Sequence, residues 1–159
     1  MIKPGCGRGL HPMANDQSRE IQPTIQAKLD STLDSVDQAE AMVRKTAVEI
    51  GFRDDDLHDI GMAVREAMVN AVVHGNRYNL KKKVHLSIGR EPERLSIRIR
   101  DEGEGFELND LPDPLAEENL LRQSGRGLLL IQAFVDEFQM HRVPPNGTEV
   151  TMVKLLKSA

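Results

Sequence analysis

The sequence predicts an α+β fold, a two-layer α/β sandwich in which helices cover one face of a mixed, mostly antiparallel sheet. Three observations predict it. Residues 54–74 carry an apolar pattern at three- and four-residue steps, the signature of a helix facing a core. Runs at 84–88 and 95–100 alternate apolar and polar with period two and are joined by a short connection, as in a hairpin. The whole order reads β-α-α-β-β-(long loop)-α-β-β, so strands adjacent in sequence pair with each other and leave the helices to one layer.

Taken in order, residues 1–22 hold Pro4, Pro12 and the run Gly-Cys-Gly-Arg-Gly among polar residues. They are expected to form a disordered or loosely attached tail, with the domain proper at 23–159. Met13 opens a more ordinary polar leader and is an alternative start. From Ile25 to Leu33 apolar and polar residues alternate, which suits a strand. Asp34 or Ser35 can cap a helix that runs to Ile50, with Gly51 as its stop. Asp54, Asp55 and Asp56 place acids at the start of the next helix, where the macrodipole favours them. That helix is expected to end near Gly75.

After the hairpin, whose turn is expected at 89–94, residues 106–124 form a long irregular stretch with Pro112 and Pro114. A loop of that length in a compact domain is usually functional, often a lid. A helix at 127–135 and a strand at 137–142 follow. Pro144-Pro145-Asn146-Gly147 turns the chain into a last strand from Thr148.

Composition narrows the function classes. The chain has 159 residues, 21 basic and 25 acidic, for a net charge of −4. That balance argues against a broad nucleic-acid-binding face. No apolar run reaches the length of a membrane span and no leader opens the chain, so a cytoplasmic protein is expected. The single cysteine, Cys6, excludes an internal disulfide framework and a cysteine-based zinc site. None of the five histidines is paired at four-residue spacing, which leaves a histidine metal cluster without support.

Three short elements carry chemistry. On the 54–74 helix Glu66, Asn70 and His74 recur every four residues. Each step of four turns the helix only about 40°, so the three side chains share one stripe. A solvated polar edge would show the same spacing. Asp101-Glu-Gly-Glu-Gly105 stands at a strand end, where its glycines allow tight turns and its carboxylate can accept a hydrogen bond. An ordinary acidic turn out of a strand has the same composition. Ser124-Gly-Arg-Gly127 precedes a helix, whose free N–H groups and positive dipole end suit a phosphate or simply mark a helix start.

Taken together, Glu66-x-x-x-Asn70-Ala-x-x-His74-Gly, Asp101-x-Gly103-x-Gly105-Phe106, Ser124-Gly-Arg-Gly-Leu-x-Leu-Ile131 and Asn146-Gly-Thr148 resemble the boxes of the GHKL (histidine-kinase-like) ATPase superfamily. Within it the chain is similar to the stand-alone bacterial anti-sigma-factor serine kinases, over about residues 25–156. The resemblance implies a GHKL fold with an ATP lid, and ATP and Mg²⁺ as ligands. Asn70 would hold Mg²⁺ through its amide oxygen, with hard oxygen donors as that ion prefers. Glu66 would be the general base. Asp101 would receive the adenine amino group, with Gly103 and Gly105 letting the base approach and Thr148 contacting it. Gly125 and Gly127 would offer N–H groups to the phosphates, and His74 would brace the end of the helix. Gln123 stands where such kinases often carry a basic residue, so Arg122 or Arg126 would serve the phosphates instead.

The implied function is an ATP-binding anti-sigma factor and serine/threonine protein kinase that phosphorylates an anti-anti-sigma protein. Its partners would be that protein and a sigma factor or similar regulator. The family also implies a homodimer packed near residues 25–50, with no direct nucleic-acid or membrane contact. The alternative is a non-catalytic module that sequesters a regulator and uses ATP as a conformational ligand. Glu66 separates the two, because a pure binding module needs no positioned base.

Overall fold

The computed structural model describes residues 23–104 and 123–157. The expected tail at 1–22 and the expected lid, up to residue 122, lie outside the described residues. The elements are β1 (Pro23–Leu29), α1 (Asp34–Ile50), α2 (Asp54–Val69), β2 (Val84–Glu91), β3 (Arg94–Arg100), α3 (Gln123–Phe134), β4 (Glu137–Arg142) and β5 (Thr148–Leu155). The strands form one sheet in the order β1-β2-β3-β5-β4. Among the described residues all four pairings are antiparallel, where a mixed, mostly antiparallel sheet was expected.

Alternation decides the layers. On β1, β2 and β3 the members Leu29, Val84, Leu86, Ile88, Leu95, Ile97 and Ile99 are buried. The register sets Leu86 against Ile99 and Ile88 against Ile97, then Ile97 against Met152 and Ile99 against Val150 on β5. These residues make one continuous apolar face. The helices close it with Val36, Ala39 and Val43 of α1, Ile60, Val64 and Met68 of α2, and Leu128 and Ile131 of α3. Each large side chain fully buried in this way contributes about 1.5–3 kcal/mol. On the opposite face the intervening positions Gln26, Lys28, Arg98 and Gln139 are exposed, as expected of a sheet covered on one side only.

Several boundaries differ from expectation, for identifiable reasons. The first strand stops at Leu29 rather than Leu33 because Thr32 N–H turns back to the Asp30 carbonyl at 2.8 Å. Ser31, 1% exposed, donates its hydroxyl to the Lys82 carbonyl, which pulls the chain out of the strand. Neither Asp34 nor Ser35 caps α1. Leu33 occupies that position with helical backbone and no side-chain cap bond, while Asp34 and Asp37 lie in the first turn. Gly51 ends the helix as expected, at φ 121°, donating its N–H to the carbonyls of Ala47 and Val48. The hairpin turn contracts to Pro92 and Glu93, with Glu93 at φ 62°.

The largest difference falls on the central helix. It is α-helical only from Asp54 to Val69 and continues as a π-helical turn, Asn70–Gly75. Asn76 N–H reaches back five residues to the Ala71 carbonyl at 2.8 Å. The wider turn changes the rotation per residue from Asn70 on, so α-helical spacing no longer places the residues that follow, and such insertions are frequent at functional sites. The helix pair α1–α2 is held by Arg65, whose Nη1 lies 2.7 Å from Asp37 and 2.8 Å from Glu40. Lys154, on β5, donates to the Phe134 carbonyl at the end of α3 at 2.9 Å, where a cation also complements the helix dipole.

Candidate active site

The site forms where α2, α3 and the ends of β3 and β5 meet. Ile99, Leu128, Met140 and Val150 supply the apolar walls of a small pocket, and Asn70, Asp101 and Thr148 supply its polar edge. Register puts Asp101 there. β3 ends at Arg100 opposite Glu149, so Asp101 leaves the ladder beside Thr148 at the head of β5. The two are bound reciprocally: Asp101 N–H donates to the Thr148 carbonyl at 3.0 Å, and Thr148 N–H donates to Asp101 Oδ1 at 3.2 Å.

Asp101 is 4% exposed. Burial raises its pKa above the ordinary 3.8, while N–H donation from Gly103 (2.9 Å) and Thr148 and the charges of Lys82 and Arg100 pull it the other way. Desolvation wins, so this carboxylate is held at a cost that a ligand donor would relieve. The sign follows from that direction. The penalty is absent below pH 3.8, grows as pH rises between the unfolded and folded pKa values, and is complete above the folded one. Asp101→Asn keeps an oxygen for Gly103 and Thr148 but removes the charge. Its melting temperature should therefore gain on the parent's as pH is raised from about 3 to 7. Melting curves whose difference does not change with pH would contradict burial as the dominant cause.

Three glycines pack around this carboxylate. A Cβ on Gly75 would collide with the Asp101 side chain, one on Gly103 with the Gly75 carbonyl, and one on Gly147 with the Asp101 carbonyl. The end of the π turn, the Asp101 turn and the turn into β5 thus meet with no room for a methyl group between them. Glu102 points to the other face of the sheet. Its hydrogen bond with His85 (2.6 Å) holds its carboxyl below the usual range.

The first and third sequence elements also meet. Gly127 of α3 lies so close to α2 that a Cβ there would come within 2.9 Å of Glu66 Oε2 and 3.4 Å of Asn70 Nδ2. Glu66 is half-buried and Asn70 is 8% exposed. Asn70 Nδ2 is buried without a hydrogen-bond partner among the described residues, which costs about 1–3 kcal/mol when left so. Rotating the amide exchanges its nitrogen for its oxygen at almost the same shape, so either a donor or a hard oxygen can face the pocket. That donor set fits a phosphate–Mg²⁺ group. Among the described residues no cluster of three or more His, Cys, Asp or Glu stands ready for a metal. An ion held by the Asn70 amide would also draw ligands from phosphate and water, as Mg²⁺ commonly does.

Not every candidate joins this pocket. His74 is exposed and lines a separate polar cleft with Arg77, Asn79 and Lys82. Gly105 and Arg122 lie outside the described residues. Gly125 and Arg126 fall in the first turn of α3, which starts at Gln123 rather than Gly127. Gly127 therefore lies within the helix instead of before it. Sequence reasoning passed over Asn76 and the packing of Gly75 and Gly147 against Asp101. The adjacent pairs His74-Gly75 and Gly147-Thr148 were the available signal for the glycines.

Comparison with known proteins agrees with this fold. The profile of the histidine kinase-like ATPase domain matches residues 29–154. The anti-sigma F factor of Bacillus subtilis (strain 168) is 33% identical over 107 residues, 66% of this chain and 73% of that protein. The anti-sigma F factor of Oceanobacillus iheyensis is 32% identical over the same shares. Among solved structures, the RsbU and RsbW domains of a Mycobacterium tuberculosis protein superpose with a TM-score of 0.63 at 22% identity. That match covers 87% of this chain and 34% of the other, so the chain spans about a third of that protein's length and the likeness is one of fold. The chain belongs to the histidine kinase-like ATPase domain family. Among the described residues no helix is long and apolar enough to cross a membrane.

Proposed function

We propose that the chain is an ATP-binding anti-sigma factor and protein serine/threonine kinase that phosphorylates an anti-anti-sigma protein in the cytoplasm. The observation that carries this reading is the meeting of Gly127 with Glu66 and Asn70 beside the pocket edged by Asp101. One place then holds a carboxylate for an adenine amino group, an unpartnered amide for a phosphate–metal group and a second carboxylate free to take a proton. The relatives named anti-sigma F factors supply the partner class.

In this reading Asp101 accepts from the adenine amino group, while Ile99, Leu128 and Val150 flank the ring. Thr148, at the same polar edge, contacts the base. Gly125, in the first turn of α3, offers its N–H to a phosphate. Arg122 or Arg126 adds a cation there. Bound Mg²⁺ would offset charge on the β- and γ-phosphates, with Asn70 as its protein ligand. Glu66 takes the proton from a serine hydroxyl of the partner. The serine oxygen bonds to the γ-phosphorus as the bond to the β,γ-bridging oxygen breaks, and ADP leaves.

The test is transfer of labelled γ-phosphate from ATP to the anti-anti-sigma protein encoded nearest in the genome. Label on a partner serine is expected. MgATP binding with partner capture but no label would instead establish the non-catalytic sequestering module.

A further inference from the structure

We infer that Asn76, one residue beyond the π turn, is a positioning residue that sets the orientation of Asp101 and so the choice of base. This rests on the nucleotide reading above and adds a residue to it. Asn76 is 2% exposed, and an amide buried that deeply is costly unless its hydrogen bonds are met. They are met, and by three different segments. Nδ2 donates to Ser31 Oγ at 2.9 Å and to the Lys83 carbonyl at 3.0 Å, and Oδ1 accepts from Glu102 N–H at 2.8 Å. The first partner lies in the turn between β1 and α1, the second at the entry to β2, and the third in the turn that follows Asp101.

The third bond matters for chemistry. Glu102 N belongs to the peptide that joins Asp101 to Glu102, so fixing it fixes the plane from which the Asp101 side chain departs. On the far side of that peptide Gly103 N–H donates to Asp101 Oδ1, and Gly75 leaves no space for the turn to shift. Asn76 therefore clamps the Asp101 turn from behind while the pocket opens in front. Its own backbone is held too, by its N–H to the Ala71 carbonyl and by Asn79 N–H to its carbonyl at 3.0 Å. The π turn is what delivers the side chain to this point. In an uninterrupted α-helix the residue would sit elsewhere on the cylinder.

Ser31 separates positioning from mere support, because it shares the scaffold bonds without touching the Asp101 turn. In the full chain, Asn76→Ala and Ser31→Ala should both lower the melting temperature. Only Asn76→Ala should also weaken MgATP binding, by about 5–100-fold, and bring the ATP-to-GTP affinity ratio toward one. Calorimetry in which folded Asn76→Ala keeps the parent affinity and ratio overturns the assignment. So does a Ser31→Ala variant that loses the ratio equally. Should Asn76→Ala fail to fold, amide exchange in the parent decides. A Glu102 N–H protected in the free protein, whose NMR shift moves on adding MgATP, supports the clamp, and one that exchanges freely or does not respond overturns it. A parent that binds no MgATP removes the nucleotide reading and this role with it. Parent binding with a parent-like Asn76→Ala removes this role alone.

Discussion

Glu66→Ala should abolish nearly all phosphotransfer while leaving MgATP binding close to the parent's. Glu66 sits half-buried on α2, one turn before Asn70, with its Oε2 close to Gly127 of α3. A base acts on the acceptor hydroxyl in the transition state and contributes little to ground-state nucleotide affinity, so its loss lowers turnover more than binding. Removing a general base typically costs about 10²–10⁴-fold in rate, equivalent to roughly 3–5 kcal/mol of activation free energy. Glu66→Gln keeps the shape that packs against Gly127 but has no basic oxygen, so it should fail in the same way. Transfer by either variant at the parent rate would remove Glu66 from the chemistry.

Asn70→Ala should weaken MgATP binding by about 10–100-fold, the scale of a lost hydrogen bond or ligand to a charged group. Without Mg²⁺ the parent and variant should bind ATP alike, because the metal contact is then absent from both. The variant should not be correspondingly unstable. It removes a buried Nδ2 that has no partner among the described residues, which offsets the small cavity it leaves. Equal MgATP affinities for parent and variant, measured by calorimetry with matched melting curves, would count against Asn70 as the metal-side ligand.

These two residues also show what the sequence made legible. Glu66 lies on α2 and Asn70 opens the π turn, so the step between them is still α-helical and both arrive at α3 as a four-residue step implies. His74 lies within the turn and does not, being exposed at another cleft. Nothing in Asn-Ala-Val-Val-His-Gly announces that insertion. It is stabilised from outside, by an Asn76 whose bonds run to residues 31, 83 and 102. Alternation placed Leu86, Ile97 and Ile99 inside correctly, since a period of two leaves only one register that buries them. It could not end β1 at Leu29, where a serine hydroxyl bonded to a carbonyl 51 positions away breaks the pattern. Asp101 was visible as a strand-end carboxylate before glycines. Its burial was not, because Gly75 and Gly147 approach it from distant parts of the chain.

The pocket beside Asp101 is proposed to take adenine, and calorimetric titration of the full chain with MgATP and MgGTP tests that most directly. One MgATP per chain is expected, with MgGTP weaker by about 5–100-fold, since guanine presents a carbonyl oxygen where Asp101 offers another acceptor. Asp101→Ala should lose that preference. Equal affinity of the parent for the two nucleotides, or an Asp101→Ala variant that still discriminates as the parent does, would contradict the account and place the base elsewhere.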